Sequence, residues 1–221
     1  VGGADCVISQ TGFTGEKGYE IYVRDAHENA EKMWNAVLEA GEEFGLMVIA
    51  PAHHRRIAAG ILSWGQDLDH ETSPFQVNLS YQVPRNKAAD YIGKEELEKQ
   101  RAIMDEGKAP FKMKMVGLTL GGKEITDYAP DFWIVTNTDE DEVGYVTSPW
   151  WSPELETNIA LAWVPWEASE VGIKYMVKLP DEYSESPGVA VNAEIVDVPF
   201  RESVNPNKRE VQAAKGLDFA D

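Results

Sequence analysis

The spacing of apolar residues changes about halfway along the chain, and this change divides the sequence into two parts of different predicted fold. In the first part, apolar residues recur at helical spacing over 25–45, where one face would carry Ala30, Met33, Trp34, Val37 and Leu38. From about residue 111 onward, short segments alternate between apolar and polar positions, which is typical of strands that cover a core. We therefore predict an α+β part followed by an all-β part.

The first 45 residues predict a hairpin and a helix. Residues 1–24 contain two segments rich in β-branched and aromatic residues on either side of a glycine-rich connection, the pattern of a β-hairpin. Residues 25–45 predict the helix, and Asp25 with Glu28 three positions later has the spacing of a capping box at its start. Gly45 is the expected end of this helix.

The region between this helix and the all-β part predicts one strand and two further helices. The apolar run 46–49 predicts a short strand. Pro51 suits the first turn of a second helix that ends near Gly60. Residues 92–104 have the charge pattern of a surface helix, and 107–110 predict a linker.

Several short strands separated by turn signals predict an antiparallel barrel or a jelly-roll-like sandwich for the all-β part. The strand segments are 112–116, 133–136, 143–147, 159–164, 174–178 and 189–198. Trp150 and Trp151 lie between two prolines, so we expect them in a loop.

These patterns place domain boundaries near residues 84, 110 and 203. Residues 1–84 make up the α+β part, 85–110 a linker with its helix, and 111–203 the all-β part. The segment 204–221 is polar and predicts a loosely ordered tail.

The charge of the chain excludes two classes of partner. Among its 221 residues, Lys and Arg total 20 and Asp and Glu total 38, which gives a formal net charge of −18. A phosphate backbone or an anionic membrane surface would be repelled, so we expect neither nucleic acid nor membrane as a partner. No apolar run approaches the length of about 18 residues that spans a membrane.

Cysteine and histidine usage argues against a metal site. Cys6 is the only cysteine of the chain, so no intrachain disulfide forms and a thiolate zinc site is close to excluded. His53 and His54 are adjacent, and adjacent residues on a helix point about 100° apart, unlike a chelating pair. We expect no metal and a reducing, cytoplasmic location.

A glycine-rich stretch carries the first candidate for a binding site. Residues 11–20 read T-G-F-T-G-E-K-G-Y-E, which matches neither the dinucleotide fingerprint nor the P-loop. A plain glycine-rich turn is one interpretation. However, Glu20 places a charge at the start of an apolar strand, which is costly unless the carboxylate is paired or bound. It could accept two parallel hydrogen bonds from an amidine-like edge such as a pterin or a guanidinium.

Two further positions extend this candidate site. Arg55 and Arg56 stand out in so acidic a chain, and they either pair with acidic neighbours or bind the anionic tail of a ligand. Trp64 follows the second helix beside Gly65 and Asp67, where it could form a site wall or simply pack. From the residues alone we predict a small-molecule site near Glu20, Arg56 and Trp64.

The order of these segments resembles the glycine-cleavage T-protein superfamily of folate-dependent one-carbon transferases. Residues 11–21 are similar to its T-G-[YF]-[TS]-G-E-x-G-[FY]-E-I stretch. Further similar stretches are R-I-A-A-G at 56–60, W-G-Q-D at 64–67 and Y-I-G-K-E at 91–95, followed by the turns of a C-terminal barrel. The resemblance covers about residues 5–201 in the family's order.

The resemblance implies tetrahydrofolate as the acceptor of a one-carbon unit at N5. It implies that Glu20 holds the pterin edge. From their charge, aromatic character and place in the sequence, we take Tyr19, Arg56 and Trp64 as further candidate cofactor-binding residues. The family's catalytic aspartate lies upstream of these motifs, so the chain resembles a C-terminal fragment whose partner is the N-terminal half of the same protein. We expect little or no transferase activity from the chain alone.

Several residues depart from the family pattern, and these departures concern the molecule that donates the one-carbon unit. Ala52 stands where aminomethyltransferases have an arginine that contacts folate, His53 and His54 replace an Asp-Ser/Thr pair, and Ala58 replaces a glutamate. The pattern resembles the demethylase branches, whose small-molecule methyl donors are dimethylsulfoniopropionate or aryl methyl ethers such as vanillate. The alternative is a non-catalytic folate-binding or assembly module, although the K-G-C-Y-x-G-Q-E motif of such factors is absent here.

Overall fold

The computed structural model describes residues 1–200 and begins with the expected hairpin. Strands β1 (Cys6–Ser9) and β2 (Glu20–Val23) pair in antiparallel register, with Ser9 opposite Glu20. The glycine-rich stretch connects them. No residue of either strand is buried, so the hairpin contributes nothing to a core formed by residues 1–200.

Helix α1 (Ala26–Gly41) follows the hairpin, and a 3₁₀ turn (Glu42–Phe44) extends it to Gly45, whose φ of 70° ends it as expected. The predicted capping box is wrong. Asp25 has a left-handed backbone, with φ of 48°, and its side chain makes no capping hydrogen bond. A capping side chain needs an extended backbone at this position, so Asp25 contributes only its carbonyl, which accepts from the Glu28 and Asn29 amides.

The segment between α1 and the barrel differs from the prediction in one element. Residues 46–49 form no strand, and all four are exposed. A strand needs a neighbour for its backbone hydrogen bonds, and no described strand pairs with this segment. Helix α2 (His53–Ala58) and helix α3 (Lys94–Asp105) form close to the predicted positions, but α2 is shorter than expected: Ala52 is its N-cap, so Pro51 lies before the helix and not in its first turn. There are 3₁₀ turns at Ser80–Gln82 and Trp166–Ala168.

A closed antiparallel barrel makes up the second part, which confirms the predicted fold class. Its strand order is β3-β6-β5-β4-β7-β8. In chain order the strands are β3 (Met113–Leu120), β4 (Trp133–Thr136), β5 (Glu142–Ser152), β6 (Thr157–Pro165), β7 (Lys174–Val177) and β8 (Val191–Val196).

Strand β5 is longer than expected and includes Trp150 and Trp151, so their prediction as loop residues is wrong. Trp150 lies opposite Ile159 and Trp151 opposite Asn158 of β6. Proline is tolerated in strands where a neighbour is missing. Pro149 lies beyond the last β5 residue that pairs with β4, so at this point β5 has only one strand neighbour.

Two apolar clusters hold the described residues together. One fills the barrel and includes Leu118, Val135 and Ile195. The other packs α2 against the outside of β3 and β6, and consists of Ile57, Ala58, Val77, Met115, Ile159, Leu161 and Trp163. Helix α2 is thus the main apolar contact between the first part and the barrel. The predicted tail, 204–221, lies outside the described residues.

Candidate functional site

Glu20 lies exposed at the start of β2, on the open side of the hairpin. Its Oε2 accepts hydrogen bonds from the hydroxyl groups of Thr11 and Tyr22, the latter at 3.0 Å. The hydrogen bond to Glu20 and the charge of Glu20 raise the pKa of Tyr22, so this hydroxyl stays protonated and keeps donating. Oε1 accepts no hydrogen bond from residues 1–200. The carboxylate is therefore oriented by two neighbours and keeps one oxygen open.

The two aromatic residues of the candidate site are also exposed. Tyr19 precedes Glu20 and is 61% exposed. Trp64 is 60% exposed, and its ring packs edge-on against His70 with centroids 4.8 Å apart. Trp64 lies in the tight turn after α2, where Gly65 has a φ of 79°. The structure does not bring Trp64 into contact with Glu20.

The glycine-rich stretch packs against α2, which brings the Glu20 loop beside Arg56. A Cβ on Gly15 would lie 2.4 Å from the Ala59 Cβ, so only glycine permits this approach. The Phe13 ring centroid lies 5.8 Å from the Arg56 Cζ. The contact between loop and helix thus runs through Phe13 and Gly15, not through Glu20.

Arg56 is 1% exposed, and its guanidinium is fully used inside the protein. A guanidinium has five N–H donors, and here five acceptors surround it. They are the His53 Nδ1 at 3.5 Å, the Ile61 carbonyl at 3.1 Å, the Asp67 Oδ2 at 2.8 Å, the Gln66 Oε1 at 3.4 Å and the Ser148 Oγ at 2.7 Å. Of the two interpretations of Arg56, the structure shows the ion pair, and it leaves no donor for a ligand's anionic tail.

Asp67 completes a buried polar cluster that joins α2 to the barrel. Besides Arg56, its carboxylate accepts from the Ser63 amide at 2.7 Å and from the hydroxyls of Thr147 and Ser148, each at 2.6 Å. Both hydroxyls belong to β5. We call Arg56, Asp67, Thr147 and Ser148 the Arg56–Asp67 cluster. The sequence left the pairing of Arg56 open and gave no indication of Thr147 or Ser148, which lie 80 and 81 positions from Asp67.

Beside this cluster, a shallow cleft opens between α2 and the barrel. The His53 ring lies edge-on to Tyr128, with centroids 4.6 Å apart, and tilted against Trp150 at 5.3 Å. The Tyr128 hydroxyl donates to the Gln66 Oε1 at 2.8 Å. No sequence pattern points to Tyr128, since a lone tyrosine in a turn-rich segment has no distinctive spacing. Within residues 1–200 the acidic and histidine side chains form no group suited to a metal ion.

The surroundings of His53 favour the neutral form of its imidazole. Partial burial and then the charge of Arg56 lower its pKa below the ordinary value of 6.5, and Asp67 opposes them only in part. The Arg56 Nε donates to Nδ1, so in the neutral ring the proton sits on Nε2.

We expect His53 to make the protein less stable as the pH falls through about 6.5. In the unfolded chain His53 takes up a proton near this pH, whereas in the folded chain it resists protonation, so acid favours unfolding. Urea unfolding between about pH 8 and pH 5.5 should show a flatter pH dependence for His53→Gln than for the wild type. His27→Gln, at a position exposed on α1, should keep the wild-type slope. Parallel profiles for wild type and His53→Gln would contradict the assignment.

No helix within residues 1–200 combines the length and the apolar content needed to cross a membrane.

Comparison with protein families identifies both parts of the chain. The model of the GCVT N-terminal domain matches residues 1–87, and that of the glycine cleavage T-protein C-terminal barrel domain matches residues 114–201. The aminomethyltransferase of Geobacillus sp. is 33% identical over 202 residues, which cover 90% of this chain and 50% of the relative. That of Caldanaerobacter subterraneus is 33% identical over 174 residues, covering 78% and 43%. The chain thus spans about half the length of the curated relatives it matches.

A solved structure agrees with this assignment at the level of the fold. The glycine cleavage system aminomethyltransferase T from Bartonella henselae superposes with a TM-score of 0.67 at 23% identity, over 89% of this chain and 50% of the other. The two family models describe successive parts of one protein family, and together they match most of the chain. The chain belongs to the glycine-cleavage T-protein superfamily.

Proposed function

We propose that this protein takes part in the transfer of a one-carbon unit to N5 of tetrahydrofolate. The observation that carries the proposal is Glu20, an exposed carboxylate at the mouth of the hairpin with one oxygen open. Tetrahydrofolate would supply the nitrogen that accepts the carbon. The relatives that share both parts of the chain are aminomethyltransferases, which supports the reaction class.

Glu20 suits the amidine-like edge of a pterin. A carboxylate has about four lone-pair sites, of which Thr11 and Tyr22 take two, both on Oε2. Oε1 remains for N–H donors of a ligand, and hydrogen bonds to a charged acceptor are the stronger kind. Because two hydroxyl groups fix the orientation of the carboxylate, little conformational freedom is lost when the ligand binds. Tyr19, exposed beside Glu20, and Trp64 are the aromatic residues that we assign to the same ligand.

The anionic tail of the folate would meet Arg55 rather than Arg56. Arg55 lies exposed on α2, whereas Arg56 is buried with all of its donors used. A charged group needs access to solvent or ligand to exchange partners, and only Arg55 has it. We therefore assign Arg56 a structural role and Arg55 the binding of the ligand's anionic tail.

We further propose that the donated group is a methyl, as in the demethylase branches. The support comes from α2. Ala58, at the position of a family glutamate, is 3% exposed and packs in an apolar cluster, so no carboxylate is available there. His53, at the position of an aspartate, is neutral. A neutral donor such as an aryl methyl ether would gain nothing from a negative charge at either position, and transfer of its methyl group would yield 5-methyltetrahydrofolate.

Turnover is proposed to need a second polypeptide segment, equivalent to the first half of the relatives. The family's catalytic aspartate belongs to that half, and residues 1–49 expose an apolar surface that such a segment would cover. The test of this partner is given in the Discussion.

Glu20→Gln is expected to weaken tetrahydrofolate binding by about 10-fold, and Glu20→Ala by more, because a charge-assisted hydrogen bond is lost. Tryptophan fluorescence during a tetrahydrofolate titration measures the effect, both on the chain alone and with the first half of the Geobacillus relative added. Glu31→Gln, an exposed glutamate on α1, should bind as the wild type does. A wild type that ignores tetrahydrofolate in both settings would contradict the proposed function.

A further inference from the structure

We propose that Lys114, at one end of the barrel, is a covalent modification site whose amine reacts with small neutral aldehydes to form imines. Lys114 lies on β3, two positions before Val116 and four before Leu118, and both of these residues belong to the cluster inside the barrel. Side chains two residues apart on a strand share a face, so Lys114 continues the inner side of β3 to the end of the barrel. The site shares no residue with the folate site proposed above.

The barrel wall is incomplete beside Lys114, which gives small molecules access to the amine. Strand β3 pairs with β6 from Met113 to Leu120, but it pairs with β8 only from Gly117 onward. Lys114 is accordingly partly buried, whereas Lys112, two positions away, is exposed. The amine therefore lies between the core and the solvent.

An aromatic ring, and no carboxylate, lies beside the ammonium group of Lys114. Its Nζ lies 5.2 Å from the centroid of the Trp166 ring. The amide of Trp166 donates to the Lys112 carbonyl at 2.9 Å, and its ring lies 6.2 Å from that of Phe111, so the indole is held in place. Within residues 1–200, Lys114 forms no ion pair, although the chain has 38 acidic residues. The charged form thus loses water on burial and gains only a cation–π contact.

This environment favours the unprotonated amine, which is the nucleophilic form. Burial lowers the pKa of Lys114 below its ordinary value of 10.5, and no neighbouring charge contributes to the shift. At neutral pH a larger fraction of this amine is therefore unprotonated than in a fully solvated lysine. Desolvated lysines of this kind are the ones that form imines with carbonyl compounds.

The reaction is a condensation that needs no oxidant or reductant. The amine nitrogen attacks the carbonyl carbon of the aldehyde and forms a carbinolamine. The C–O bond then breaks, a C=N bond forms, and the oxygen leaves as water with the two protons of the amine. A neutral aldehyde suits the site better than an anionic carbonyl compound, because the chain carries a net charge of −18.

Propanal is the probe, and cyanoborohydride traps each imine at neutral pH as a propylated amine that peptide mass spectrometry locates. We expect Lys114 to be labelled at least about 3-fold faster than the exposed Lys112 and Lys174. Trp166→Phe keeps the aromatic ring and should keep most of this excess. Trp166→Glu supplies a carboxylate that favours the ammonium form, so the rate at Lys114 should fall to that of Lys112 or below.

The excess should disappear in urea, where the three lysines are equally solvated. Three results would overturn the site. Lys114 is labelled no faster than Lys112 in the folded wild type, or its excess persists in urea, or Trp166→Glu is labelled at Lys114 as fast as the wild type while its circular dichroism spectrum is unchanged. The first two results need no variant, so the test holds even if Trp166→Glu fails to fold.

Discussion

Replacing Asp67 with alanine is expected to destabilise the protein by about 3–5 kcal/mol, the cost of leaving a buried charge without its partner. The Arg56 and Asp67 side chains are 2% and 0% exposed, and 2.8 Å separates Nη1 from Oδ2. Removing the carboxylate also leaves the Ser63 amide and the Ser148 hydroxyl without their acceptor, whereas the Thr147 hydroxyl can still donate to the Leu161 carbonyl at 3.2 Å. Since native domains are stable by about 5–15 kcal/mol, much of the folded population would be lost.

Urea unfolding, followed by tryptophan fluorescence, measures this change in the free energy of unfolding. Asp67→Asn keeps the shape and one acceptor oxygen, so its loss should be smaller but still clear. The matched control is Asp105→Ala, which breaks an equally short ion pair to Arg85 at an exposed position and should change stability little. Equal effects of Asp67→Ala and Asp105→Ala would show that the Arg56–Asp67 cluster does not hold the two parts together.

The barrel could be predicted from the sequence because its strands obey a local rule. In β4, for example, Trp133 and Val135 are buried and Ile134 between them is only partly buried, and the strand forms at the predicted residues 133–136. The sequence did not decide whether the strands close into a barrel, because alternation of apolar and polar residues is equally compatible with a sandwich. The fate of Trp150 was not predictable, because Pro149 signals a break unless the missing neighbour strand is known.

The role of Arg56 could not be read from the sequence, for a different reason. Its bond to Ser148 joins residues 92 positions apart, and only the fold brings β5 onto α2. Because the chain is rich in acidic residues, an ion pair of Arg56 with one of them was already one of the two interpretations of this residue. Glu20, by contrast, was identified as a candidate because a charged residue at the start of an apolar strand is unusual. The structure shows that the hydroxyls of Thr11 and Tyr22 donate hydrogen bonds to it.

The wrong prediction of a strand at 46–49 points to an interface. An unbroken apolar run is typical of a strand buried on both faces. Here Met47, Val48 and Ile49 are 79%, 61% and 68% exposed. The segments before it in the chain are also unburied: α1 is an amphipathic helix without a single buried residue, and it contacts β2 of the hairpin, whose strands also have none. Exposed apolar surface of this extent marks a contact site, and the segment equivalent to the first half of the relatives is the occupant that we propose.

Separately expressed, the first half of the Geobacillus aminomethyltransferase is therefore expected to form a one-to-one complex with this chain, detectable by sedimentation. Val48→Lys should weaken that complex by at least about 10-fold, because a charge would be buried in the interface without a partner. The same substitution should leave the chain itself folded, since Val48 is exposed. Val189→Lys is the matched control: Val189 is 58% exposed, it lies next to β8 of the barrel, and the substitution should not affect the complex. Two outcomes would contradict this proposal: both variants bind as the wild type does, or no complex forms. In either case the apolar surface of residues 1–49 has another occupant, and the proposal that turnover depends on the first half of the relatives is wrong.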